Sequence, residues 1–251
     1  MSKLSRRNFF KAAGAAAAAI GTQANVLAAP SRAHHSSHRE HMQEQPYEGY
    51  SFFQPEEAAF IEAAIDRLIP PDETGPSATE AGVQFYLDKQ LNGAWGAGER
   101  LYRGGPWHQG TPQQGYQLPF IPSELFRTAL RGLNADVKRK HGGAFASLSA
   151  ADQDAYLKSL QANPVDLQGV PSNVFFDSLL SLTIEGYFSD PVYGGNKDMA
   201  AWKMIGFPGA YANYYELIDQ HGLAYERPPI SLADNGRGVI TIHPNIPASI
   251  K

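Results

Sequence analysis

The densest group of side chains able to do chemistry lies between Glu185 and Gly209. It reads Glu185-Gly186-Tyr187-Phe188-Ser189-Asp190-Pro191-Val192-Tyr193-Gly194-Gly195-Asn196, and further on Trp202-Lys203-Met204-Ile205-Gly206-Phe207-Pro208-Gly209. Glu185 and Asp190 are candidates for a carboxylate pair in acid or base work, with Tyr193, Asn196 and Lys203 as candidates to orient a substrate. Two other readings compete: a polar network that locks a turn, and a surface that meets a protein partner. The partner surface is preferred.

Other recognisable chemistry is missing. There is no Gly-x-Ser-x-Gly elbow, no phosphate-cradling Gly-x-x-x-x-Gly-Lys loop and no His-Glu-x-x-His pair, and Gly96-Ala97-Gly98 lacks the third glycine of a dinucleotide fingerprint and follows no strand. The chain has no cysteine. That excludes disulfides, thiolate-held iron-sulfur clusters, c-type haem attachment and cysteine nucleophiles within it, so an electron carrier would belong to another polypeptide. His34 and His38 would share one face of a helix, and imidazoles bind copper, zinc or nickel. Because residues 30–50 are polar and lack an apolar period, a solvated linker is the preferred reading there and a metal-binding tail the other.

Helices must position the Glu185–Gly209 group. Phe60, Ala64 and Leu68 beside Ile61, Ile65 and Ile69 form one apolar stripe, begun by Pro55-Glu56-Glu57 and stopped by Pro70-Pro71. Ser77 and Glu80 have the spacing of a capping box for a second helix that buries Val83, Tyr86 or Leu87, and Leu91, and closes at Asn92-Gly93. Residues 95–119, rich in Gly, Pro, Gln and aromatics, have neither helical nor strand period and read as a long loop, one that contacts a partner or ligand or else packs irregularly over the core. Helices over 123–141, 150–162 (capped by Ser149) and 172–187 follow. The last is apolar nearly all round, which suits the centre of a bundle or a place under a partner. Pro191 ends it, Gly194-Gly195-Asn196 makes a tight turn, Asn196 caps a short helix near 198–205, and Trp202 packs that helix back. A further helix near 211–221 and an extended arm over 227–251 complete an all-α, irregular helical bundle with long aromatic, Gly- and Pro-rich loops. Only residues 238–243 have a strand-like run. The helical domain spans 51–226.

Residues 1–29 carry Lys3, Arg6, Arg7 and Lys11 and no acid, so without them the net charge moves from -4 to -8. An acidic body without a basic face excludes nucleic acid as the expected partner. Arg6-Arg7 followed by Phe9-Phe10, a weakly apolar Ala- and Gly-rich run and the small residues Ala28-Ala29 read as a twin-arginine signal, the route for proteins exported folded. Membrane contact is expected only through partners, because no run is long and apolar enough to span.

The segment from Glu185 to Gly209 resembles the signature of the gluconate 2-dehydrogenase small-subunit family. The matching positions are Glu185-Gly186-Tyr187, Asp190-Pro191 with Tyr193-Gly194-Gly195-Asn196, and Trp202-Lys203 with Gly206-Phe207-Pro208-Gly209. The helix ending at Ile69-Pro70 and the following Ala81-Gly82-Val83 are similar to the family's opening segment. The resemblance implies a periplasmic, membrane-associated assembly of a large FAD-dependent flavoprotein, a membrane-anchored cytochrome c subunit and this small subunit. On that reading the chain has no catalytic residue and no cofactor of its own. FAD, with haem c or an iron-sulfur cluster, sits on partner subunits, and the small subunit helps the large one mature and leave the cytoplasm. A stand-alone periplasmic binding protein or enzyme using the Glu185, Asp190 and Tyr193 region is the alternative.

Overall fold

A computed structural model of the chain describes residues 49–102, 104–210, 219, 221–222 and 228–233. Outside these lie the Arg6-Arg7 segment, the His34 and His38 tail, the helix expected near 211–221, the strand-like run 238–243 and most of the C-terminal arm.

Helix α1 spans Pro55–Leu68, α2 Val83–Asn92, α3 Pro122–His141, α4 Ala150–Ala162, α5 Ser172–Phe188 and α6 Ala200–Ile205. The all-α reading holds for the described residues, apart from a hairpin of two-residue strands, β1 (Asp166–Leu167) and β2 (Val170–Pro171), turned by Gln168 and Gly169 at positive φ. Local signals account for most boundaries. Proline occupies the first turn of α1 and α3, where its missing N–H would have no partner. In each case the Glu of the third helical position reaches back to a backbone N–H, Glu57 to Gln54 and Glu124 to Ile121. Ser149 caps α4 by accepting from the Asp152 N–H.

The Ser77–Glu80 box is present, since each side chain bonds the other's backbone N–H, but it opens a turn rather than α2 itself. Gly82 at φ +79 intervenes, and α2 starts at Val83. A residue in the left-handed region cannot continue a helix, so box and helix stay separate.

The core is one cluster drawn from every long helix, including Phe60, Ile61 and Ile65 of α1, Leu87 of α2, Phe126, Leu130 and Leu133 of α3, Leu157 and Leu160 of α4, and Phe175 and Leu179 of α5. Phe60 packs on Phe145 at 4.6 Å between ring centroids, and Phe126 meets Phe175 edge-on at 5.2 Å. Helix α5 touches all five other helices, so the most apolar helix does occupy the centre. Its remaining face, with Asp177, Ser181, Ile184 and Glu185, is exposed. Among the described residues, no helix is long and apolar enough to cross a membrane.

A buried acid ties the start of the domain to this core. Asp88 of α2 is fully buried and accepts from the backbone N–H groups of Ser51, Phe52 and Phe53 at 2.8, 2.8 and 3.0 Å. Arg127 of α3 closes the same corner: it pairs with Glu57, donates to the Phe52 carbonyl at 2.7 Å and lies 4.1 Å from the centre of the Phe52 ring. Asp88→Ala leaves three N–H groups without their acceptor, and we expect it to cost about 3 kcal/mol. Urea unfolding should show a lower midpoint at unchanged slope; an unchanged midpoint would remove Asp88 as an anchor.

Candidate functional site

The Glu185–Gly209 segment leaves α5, folds back across α2 and returns through α6. Close backbone packing explains its glycines. A Cβ on Gly186 would stand 2.7 Å from the Tyr86 ring, and one on Gly195 would stand 2.0 Å from the Gly186 carbonyl oxygen. No side chain fits at either place. Gly194, at φ +110, lies over α2 next to Phe85 and Tyr86. The turn also meets the Ala81-Gly82 step, where the Lys197 N–H donates to the Ala81 carbonyl at 2.9 Å. The two sequence segments that carry the family resemblance are therefore in contact.

The polar residues of the segment divide by burial. Asn196 is fully buried at φ +48, donating to the Ser189 carbonyl and accepting from the Ala201 N–H, both at 2.9 Å. It thus caps α6 as the sequence suggests, from four positions before its first residue. Asp190, 9% exposed, accepts from the Val192 N–H at 3.0 Å, the Ser231 hydroxyl at 2.7 Å and the Leu232 N–H at 2.9 Å. Pro191 begins the short 3-10 turn Pro191–Tyr193 that Asp190 caps. Tyr187 is buried and donates to the Pro76 carbonyl at 2.8 Å, and the Trp202 indole donates to the Phe188 carbonyl at 2.8 Å. Gly209 pairs with Ile230 in a parallel bridge, and the Pro208 carbonyl accepts from Ile230. Gly206, at φ +70, ends α6.

Glu185, Tyr193, Lys203 and Phe207 face outward instead. Glu185 accepts from the Tyr86 hydroxyl at 3.4 Å, whereas Asp190 is engaged by Ser231 and Leu232, so the two carboxylates have different partners. Around the exposed signature residues the surface is apolar. Of twelve large apolar side chains exposed among the described residues, eight fall between Ile184 and Leu232: Ile184, Phe188, Val192, Tyr193, Met204, Ile205, Phe207 and Leu232. Among the described residues no group of three or more His, Asp or Glu side chains is placed to hold a metal ion.

Sequence reasoning missed three contributors. Asp88 was legible in principle, since Gln84, Asp88 and Leu91 share the buried side of α2. Arg127 and the Asp190 contacts with Ser231 and Leu232 are long-range pairings that no local pattern announces.

Burial first and the Glu185 carboxylate second push the Tyr86 hydroxyl up to about 12. Because the protonated phenol is the form favoured by the fold, this stabilisation is complete below the ordinary tyrosine value near ~10 and is lost as pH rises through about 12. In an alkaline ultraviolet titration, Tyr86→Phe should remove a late-ionising phenolate. Glu185→Gln should bring that phenolate to lower pH, yet still above an exposed tyrosine because burial remains. A separate pair of variants distinguishes holding from presenting. Asn196→Ala, which unpairs the part-buried Ser189 carbonyl and the buried Ala201 N–H, is expected to cost about 2–4 kcal/mol. Tyr193→Ala, at a half-exposed side chain, should stay within about 0.5 kcal/mol in the same urea experiment.

No curated protein and no solved structure matches the chain. The model of one family, described as gluconate 2-dehydrogenase subunit 3, matches residues 55–209, from the first residue of α1 to the glycine bridged with Ile230. With that match covering the bundle, the Ala81-Gly82 step and the whole locked turn, the chain belongs to the gluconate 2-dehydrogenase subunit 3 family.

Proposed function

We propose that the chain is the non-catalytic small subunit of a periplasmic, membrane-associated, FAD-dependent dehydrogenase of the gluconate 2-dehydrogenase type. Its partner is the flavoprotein large subunit, and a membrane-anchored cytochrome c subunit carries electrons onward. FAD, with haem c or an iron-sulfur cluster, resides on those partners. The small subunit assists maturation of the flavoprotein and takes it through the twin-arginine route, for which Arg6-Arg7 supplies the recognition element.

One observation carries this reading. The buried polar groups of the signature, Asp190 and Asn196, are engaged in holding backbone, while the side chains it exposes are largely apolar. A catalytic site needs polar groups free to meet substrate, whereas a docking site needs a rigid apolar centre with polar groups at its rim. Glu185 and Lys203 supply such a rim, and Ile205 and Phe207, 57% and 44% exposed, supply candidate anchors. The family match agrees, because a subunit 3 acts within an assembly.

The test co-expresses the chain with its flavoprotein. A tagged wild-type chain should bring the flavin chromophore with it, whereas Ile205→Ser with Phe207→Ser should lose it at an unchanged melting temperature. Arg6→Lys with Arg7→Lys should strand the flavoprotein in the cytoplasm. Normal export from that mutant, or a flavin spectrum from the small subunit alone, would overturn the proposal.

A further inference from the structure

The loop over residues 95–119 and helix α5 bound a cleft of about 740 Å³ that borders the proposed docking surface at Glu185. Small-molecule sites commonly occupy about 300–1,000 Å³. Its floor is α5, where Asn173, Asp177, Ser181 and Glu185 line the cleft at intervals of four residues. That spacing makes a single polar ladder, roughly 18 Å long at the helical rise, on the helix that is otherwise the most apolar in the fold.

The cleft's chemistry is mixed in a particular way. Amide, carboxylate and hydroxyl groups alternate along the ladder, and Gln109 and Gln117 add amides from the loop side. Asn173, Asp177 and Ser181 make no side-chain hydrogen bond among the described residues, so their donors and acceptors are free to meet a ligand. Trp95 presents an indole that is 42% exposed. Among the described residues no lysine, arginine or histidine lines the cleft.

We infer that this cleft is a binding site for a neutral saccharide. Adjacent sugar hydroxyls each donate and accept, which suits a row of amides and carboxylates, and the C–H face of a pyranose ring suits an indole. The described lining carries the carboxylates of Asp177 and Glu185 and no cation, which favours a neutral saccharide over a sugar acid. The inference concerns this chain alone and does not depend on a flavoprotein docking at the neighbouring apolar surface.

The full chain is titrated with cellobiose and maltotriose as neutral probes and with gluconate and spermidine as charged ones, followed by saturation-transfer NMR and calorimetry. At least one neutral probe should bind saturably, gluconate should fail to displace it, and Trp95→Ala and Asp177→Ala should each weaken binding by about tenfold. Asp177 is exposed and unpaired, so its variant remains informative if the Trp95 change perturbs the loop. Absence of saturable binding by both neutral probes, tighter binding of gluconate or spermidine than of either, or undiminished binding in both variants would each overturn the inference. Preference for spermidine would instead mark the cleft as a dock for a basic segment of another protein.

Discussion

A turn of backbone lies against the end of α5 so closely that the carbonyl of Gly186 occupies the space a Cβ on Gly195 would need. That contact fixes where the chain goes after the central helix. Once it is made, the Ser189 carbonyl and the Ala201 N–H come within reach of one buried amide, Asn196, which replaces the hydrogen bonds that the end of one helix and the start of the next would otherwise lack. Trp202 and Asp190 then have fixed partners, and the exposed apolar side chains inherit a rigid base. Without the close approach, the signature would be a set of residues with no common frame.

The parts legible in the sequence are those governed by short-range rules. Pro55, the Pro70-Pro71 stop, Ser149 and the apolar periods placed α1, α3, α4 and α5 to within a residue or two, because caps and amphipathic stripes act over one to four turns. The Gln168-Gly169 hairpin escaped, since a two-residue strand leaves no alternation to detect. Gly82 escaped for another reason: its left-handed conformation separates the capping box from α2, while the residue types on either side read as one continuous start. Within the signature, glycines and Asn196 were recognisable as turn formers, but their burial was not. Whether a polar side chain faces inward there depends on α2 lying across the turn, and that is a tertiary fact.

Fold and proposed role meet in a separation of tasks along a short stretch of chain. Residues that hold the turn are buried and hydrogen-bonded to backbone, whereas those that would meet another protein stand outward on the same segment. A change at an inner position would therefore displace the outer ones, even where it touches no partner. The Asp88 and Arg127 corner belongs to a different layer of the design. It sets where the chain enters the bundle, and it approaches the signature only through α2.

The parallel bridge between Gly209 and Ile230, reinforced by Asp190 on Ser231 and Leu232, joins two points of the chain that are twenty-one positions apart. Their union closes a loop in the path of the chain. The entropy of closing a loop grows only with the logarithm of its length, about 0.6 kcal/mol for each doubling. The stabilisation that the clasp must supply is therefore nearly insensitive to how many residues separate its two halves.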